Sequence, residues 1–259
     1  VTNKELDFLN NSNYKIGWVS KEDPLPNYIV CDKGDNIFYK EKYYSELTFQ
    51  YWFWKNLLSV NDRHWIGFCQ KRRYWIKKES KNLNIDYSNF QKHILDEVPD
   101  EWSGCESVIC EPISVNGVNK MKIIKRGFKS LVKDPSILFN IKKQTLLLHF
   151  DMHHGFGNIE KAINHLDEID IDDFFKYLNE STYYNPHIMF ISKSHIINRW
   201  FENLFSWLSK CEQTFGFKKL QGYDTQRLYA YLAERYLSFW FKKYTNYKIW
   251  PYVTLDKFD

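Results

Sequence analysis

Between residues 14 and 69 the hydrophobic period changes twice, and this alternation restricts the fold more than any other feature of the chain. "YKIGWVS" (14–20) reads as a strand closed by the prolines of "KEDPLPN". "YIVCDKGDNI" offers a second short strand that ends in a Gly34-Asp35-Asn36 turn. Across 45–58 the pattern becomes helical, because Leu47, Tyr51, Trp54 and Leu58 recur at i, i+4, i+7 and i+11, with Ser45 as the expected cap. After the loop "SVNDRH", "WIGFC" (65–69) is too short for a helix and predicts a buried strand. Strand, helix, strand in this order predicts a parallel βαβ unit and an α/β fold.

Further along, "TLLLHF" (145–150) and "HIMFIS" (187–192) repeat the strand signature. The stretch 76–145, punctuated by "KKESKN", "DEVPDEWSG" and "SVNGVNKMK", predicts loops and short helices, and 158–179 alternates helical patches with acids. Ile197, Trp200, Phe201, Leu204, Leu208 and Cys211 mark one amphipathic helix, and Ala230, Ala233, Leu237 and Trp240 a second, giving a helical C-terminal part over 194–245. No repeat or low-complexity linker interrupts the 259 residues, which fits a single domain with a polar leader at 1–13.

Charge and cysteine content exclude several function classes. The 36 basic and 32 acidic residues leave a net charge of only +4, unlike a nucleic-acid-coating surface, so no nucleic-acid partner is expected and any basic site is local. The 5 cysteines contain no C-x-x-C pair, which argues against a zinc ribbon or a secreted disulfide framework and favours the cytoplasm. No run approaches the ~20 apolar residues that span a bilayer, and the polar start lacks the features of a signal peptide. The first residue is Val rather than Met, consistent with a piece of a longer protein. Aromatic residues reach 19%, and such rings serve cores and sugar- or base-stacking surfaces alike.

Ligands of α/β proteins bind at the carboxyl ends of strands, where "WIGFC" runs into Lys71, Arg72 and Arg73. Guanidinium forks hold phosphates bidentately, so this triplet suits a diphosphate; a solvated strand end is the plainer alternative. In "LHFDMHHG", a strand would place His149, Asp151 and His153 on one face, with His154 and Gly155 turning away at its end. That set fits a metal site, a general base or ordinary hydrogen bonding. "DEIDIDD" (167–173) contains Asp170-x-Asp172 but reads as a solvated helix start, since acids favour helix N-termini. Arg227 and Glu234, seven apart, share a helix flank, as a buried pair or as ligand contacts, while Arg235 points elsewhere. Asn185 and His187 precede a strand and reach toward the same cleft, and Trp52 and Trp54 face different sides of their helix.

"GDNIFYKEKYYSELTFQYWFWKN" followed by "WIGFCQKRRYW" resembles the bacterial DUF4422 family, whose members carry a D-N-I...Y-x-E-L-T-x-x-Y-W-x-W-K-N block and then an I-G-L-C-H-Y-R-R-Y-F block. "YNPHIMFISK" and "RLYAYLAERYLSFW" are similar to two later blocks. Gln70 and Lys71 replace the usual His and Tyr, and Tyr229, Ala230 and Tyr231 also depart from the pattern. The resemblance implies a glycosyltransferase of capsule or lipopolysaccharide clusters with a GT-A-like (Rossmann-like) mixed sheet flanked by helices. It implies a nucleotide-diphosphate donor, a UDP-sugar being favoured, and a glycan or lipid-linked glycan acceptor.

On this reading Asp35, Asn36, Glu46, Lys71, Arg72 and Arg73 bind the donor. The arginines stand where a D-x-D motif would hold a metal, so a divalent metal is not favoured. Asp151, the preferred base, and His154 are catalytic, while His153, Asn185, His187, Arg227 and Glu234 line the acceptor or donor cleft. The expected location is cytoplasmic, peripheral at the inner membrane face or beside other capsule-assembly enzymes. The alternatives are a non-catalytic carbohydrate-binding module and a metal-dependent hydrolase using Asp151, His153 and His154.

Overall fold

The protein is mixed α/β in a computed structural model that describes residues 1, 2, 6, 9, 14–24, 26–61 and 64–255. Most of the expected leader 1–13 lies outside the described residues, as do Leu25 of "KEDPLPN", Asp62 and Arg63 of "SVNDRH", and the last four residues. The chain divides into two compact units, one of Val1–Glu111, His187–Glu202 and Trp240–Asp259, the other of Pro112–Pro186 and Asn203–Phe239.

The first unit is built on a four-stranded mixed sheet in the order Trp65–Gly67, Phe190–Lys193, Ser107–Cys110, Tyr247–Trp250. The first two pairings are antiparallel and the last is parallel. Alternating side chains divide the burial between the two faces. On one face the Phe190 ring lies tilted 5.2 Å from Phe68 and 5.1 Å from Phe241, with Trp200 and Phe201 beside it from the helix Ser194–Phe215. On the other, Val108, Met189 and Ile191 pack with Trp75, Trp102 and Trp250. The helix Leu47–Asn56 flanks the sheet through Phe53, 5.4 Å from Phe68.

Several expectations are corrected here. The strand Trp65–Gly67 runs antiparallel to Phe190–Lys193, so the expected parallel βαβ unit does not form around it. The parallel pair near the start joins Gly17–Trp18 to Ile29–Val30. Ser45 does not cap the helix that follows; with φ +52° it terminates a short preceding helix, Glu41–Tyr44. Inside the supposedly loop-rich 76–145 lies Ser107–Cys110, a fully buried strand of the sheet.

The second unit is mainly helical, with Lys120–Arg126, Phe128–Lys133, Leu146–His154, Asn158–Ile163 and Glu168–Glu180 joined by the later part of Ser194–Phe215 and most of Leu228–Tyr244. Its core centres on Phe174, Trp207 and Tyr236, and the Trp207 indole donates to the Ala162 carbonyl at 2.7 Å. The largest correction is "TLLLHF", which is helical rather than extended. Leu146, Leu148, Phe150 and Met152 are all buried, so no polar face interrupts the run and its helical period is hidden.

Candidate functional site

In the first unit the basic triplet forms a tight turn. Gln70 and Arg73 exchange backbone hydrogen bonds of 3.3 and 3.1 Å, after which Arg73–Trp75 pairs antiparallel with Tyr252–Thr254. The three cations therefore diverge. Lys71 and Arg72 sit on the turn, where their carbonyls accept from the Tyr74 hydroxyl and the Leu255 amide, and Arg72 is exposed. Arg73 turns inward. Its Nη1 donates to Gln70 Oε1 at 3.1 Å, and the Gln70 amide in turn donates to Glu46 Oε1. Arg73 Nε is buried and has no hydrogen-bond partner among the described residues.

His187, at φ +66°, packs edge-on against Tyr252 at 5.4 Å. Burial, with the Arg73 charge second, lowers its pKa to about 3, so the imidazole is neutral beside the guanidinium. Glu46, Gln70 and Arg73 thus form one hydrogen-bonded group, and His187 feels the Arg73 charge. Gln70 also lines a cavity of about 520 Å³ walled by Phe49, Phe53, Trp65, Phe68 and Trp102. Nothing in the sequence announces that cavity, because its walls come from segments far apart along the chain.

Asp35 and Asn36 have a different setting. Asn56 accepts from the Asp35 amide at 3.2 Å and donates to its carbonyl at 2.8 Å. The Tyr51 hydroxyl donates to Asp35 Oδ1, and the Trp52 indole to the Lys33 carbonyl. Asn36 closes its own turn through Asp32 and Gly34. The first sequence block is therefore a set of mutual partners that clamps the 33–36 turn onto its helix. Trp54 donates to Asn198 at 2.8 Å under the Lys55 ammonium, so both indoles are engaged within the unit.

In the second unit the helix Leu146–His154 overturns the expected shared face of His149, Asp151 and His153. On a helix His149 and His153 are neighbours, with ring centroids 4.7 Å apart, and Asp151 lies on another side. Arg235 Nη2 donates to His149 Nδ1 and Arg126 Nη1 to His153 Nδ1, each at 3.1 Å. A guanidinium cannot accept, so both rings carry their proton on Nε2. His154 is the reverse case. Its Nδ1 faces the Asp224 carbonyl at 3.1 Å and must donate, which leaves Nε2 as a bare lone pair, and the ring stacks 3.7 Å from Tyr231. Burial, reinforced by Arg235, lowers His149 to about 2 and His154 to about 3; burial and then Lys122 and Arg126 lower His153.

Arg235, set aside in the sequence, is the buried cation of this group, 1% exposed and 3.8 Å over the Tyr184 ring. Its carboxylate partner is Glu234 at 2.7 Å. Arg227 precedes the helix Leu228–Tyr244 rather than lying on it, which corrects the shared flank expected with Glu234. Asn185 is fully buried, with its backbone tied to Ser238 through an accepted and a donated hydrogen bond.

Asp151 accepts from the Gly157 amide at 2.9 Å and from the Ser130 hydroxyl at 3.4 Å. Burial outweighs these bonds and raises its pKa to about 6. It lines a second cavity, of about 320 Å³, with Lys133, Lys142, Lys143, Phe156 and Glu160. Asp170 is not solvated as expected; it is 1% exposed and accepts from the Tyr236 hydroxyl at 2.8 Å. Among the described residues no cluster of three His, Cys, Asp or Glu side chains is placed to hold a metal ion.

The model of the domain of unknown function DUF4422 matches residues 1–246. The chain belongs to the DUF4422 family. The match takes in every candidate residue described above. No curated protein matches the sequence at a significant level. Among solved structures, this DUF4422 chain is similar to WbbM, described as a bifunctional glycosyltransferase in its apo form, with a TM-score of 0.63 at 18% identity. The likeness covers 89% of this chain and 40% of the WbbM chain. At that identity it shows the fold, a mixed sheet flanked by helices, as one that a glycosyltransferase also adopts.

Proposed function

We propose that this DUF4422 chain transfers a sugar from a nucleotide-diphosphate donor, a UDP-sugar being favoured, to a growing bacterial surface glycan such as capsular polysaccharide. The observation that carries the reading is Arg73, with a buried Nε that has no hydrogen-bond partner among the described residues and a hydrogen bond to Gln70, which itself lines the aromatic-walled cavity. A cavity of that size accommodates a nucleoside, and aromatic walls suit a base. Arg73, with Lys71 and Arg72 on the adjoining turn, then offsets the charge that develops on the departing diphosphate, and a D-x-D-bound metal has no part in the step. Fixed cations in a poorly solvated site commonly contribute about 10²–10³ in turnover.

Asp151 is the proposed base for the acceptor hydroxyl. Its carboxyl, raised to about 6 by burial, has the proton affinity that transfer near neutral pH requires. The hydrolase alternative loses its geometric basis, because the helix turns Asp151 away from His153.

Incubation with UDP-, GDP- and CMP-sugars, followed by detection of released nucleotide, tests the reading. Turnover of a nucleotide-diphosphate sugar is expected. Binding of glycan without any nucleotide binding or turnover would replace it with the carbohydrate-binding alternative.

A further inference from the structure

Residues 120–143 of the second unit, "KMKIIKRGFKSLVKDPSILFNIKK", hold eight basic residues and one acid, a net +7 in a chain whose total is +4. The rest of the chain is therefore net negative. The segment folds as the helices Lys120–Arg126 and Phe128–Lys133, followed by turns at Pro135–Leu138 and Ile141–Lys143.

Its apolar residues point two ways. Ile123, Leu131 and Ile137 face inward and pack with Leu148 and Met152, which holds the segment to the unit. A second set faces solvent: Met121 is 58% exposed, Phe128 63%, Val132 68% and Phe139 82%, with Ile124 and Ile141 also exposed. Met121, Ile124, Phe128 and Val132 follow one another at three- and four-residue steps, so they form a stripe along the two helices rather than scattered single residues. Lysines border the stripe. Lys120 Nζ lies 5.1 Å over the exposed Phe139 ring, and Lys129 and Lys133 lie over Phe156. Arg126 and Lys143 are paired with Asp224 and Asp134, whereas Lys120, Lys122, Lys125, Lys129, Lys133 and Lys142 form no ion pair among the described residues.

We propose that this face docks on an anionic lipid surface, with Met121, Phe128, Val132 and Phe139 inserted at the headgroup level and the lysines among the phosphates. Exposed large apolar side chains gain by leaving water, and each unpaired lysine gains near a negative leaflet. Unpaired lysines beside exposed phenyl rings match the anionic headgroups and the acyl boundary of a lipid surface. No helix among the described residues is long and apolar enough to cross a membrane. The proposal goes beyond sugar transfer and stands or falls separately from it.

Cosedimentation of the chain with vesicles of phosphatidylcholine alone, and of phosphatidylcholine with phosphatidylglycerol, tests it. Binding is expected only to the phosphatidylglycerol vesicles, weakening as salt is raised. Phe128→Ser with Val132→Ser is expected to weaken partitioning by about 100-fold. Lys125→Ala with Lys129→Ala is expected to weaken it by about 30-fold. All four positions are on the surface, and circular dichroism on each variant verifies the fold. The proposal is overturned by absence of binding to either vesicle, or by binding that neither variant changes. It is also overturned if, without lipid, analytical ultracentrifugation finds a dimer that Phe128→Ser with Val132→Ser abolishes, because the stripe then belongs to a second copy of the chain.

Discussion

Arg235 donates from Nη2 to Nδ1 of His149 at 3.1 Å, which fixes the imidazole as a neutral acceptor inside the helical unit. Burial, with the Arg235 charge second, holds His149 at about 2, and His154 and His187 stand at about 3, against an ordinary 6.5. As pH falls through 6.5 the unfolded chain takes up protons that these rings refuse in the folded state. Their contribution to stability is complete above that pH and declines below it, by up to ~1.4 kcal/mol per pH unit for each histidine. Asp151 opposes them. With its carboxyl raised to about 6, its contribution is present below the ordinary carboxylate range and lost as pH rises through 6. Three groups outweigh one, so urea denaturation is expected at a lower midpoint at about pH 5 than at about pH 7. Equal midpoints would contradict the buried neutral histidines.

Asp170 and Asp172 belong to the same D-x-D match but have different surroundings. Asp170→Ala removes the carboxylate that accepts from the buried Tyr236 hydroxyl and is expected to cost about 1–3 kcal/mol. Asp172 is exposed, and Asp172→Ala is expected to change stability by less than about 0.5 kcal/mol. Paired denaturation curves distinguish them, and equal effects would contradict the structural assignment of Asp170.

Gly34 sits at φ +68°, where an added Cβ would lie 2.2 Å from Asn56 Oδ1. Gly34→Ala combines backbone strain with loss of the Asn56 clamp, so a destabilisation of about 1–3 kcal/mol is expected. Asn56→Ala, which removes the clamp without the strain, is expected to cost less. A thermal melt of both variants checks the order.

Asp151→Asn retains an oxygen to accept from Gly157 but cannot take a proton. Transfer is expected to fall by about 10²–10⁴ with the fold intact. The acidic limb of the wild-type pH–rate profile, expected near pH 6, disappears with it. Unchanged transfer would leave Asp151 as only a brace for the Gly157 turn.

Periodicity in the sequence was legible where an element has one wet and one dry side. The helix Ser194–Phe215 follows from it, whereas Leu228–Tyr244, buried along most of its length, was legible from the spacing of its apolar residues, and the strands Trp65–Gly67 and Phe190–Lys193 from short apolar runs. Periodicity failed for Leu146–His154, buried on most sides, and for Ser107–Cys110, four residues long between a Gly104 turn and Pro112. The boundaries of the two units fall partly inside the long helices, at 202/203 and 239/240, where no linker composition can mark them. Of the residues grouped around the first unit's cavity, Arg73 and Glu46 lie in the family-like blocks and His187 was marked by its place before a strand. Arg235 was passed over, because an arginine between Glu234 and Tyr236 carries no sign of burial until the helix is set against Tyr184 and His149.

The measurement that tests donor binding most directly is calorimetric titration of UDP into the wild-type chain, Arg73→Ala and Arg72→Ala. The expected result is saturable binding by the wild type, weakened about 10–100-fold by Arg73→Ala, which loses the inward guanidinium, and several-fold less by the exposed Arg72→Ala. Identical affinity in all three proteins would contradict a diphosphate held by these arginines.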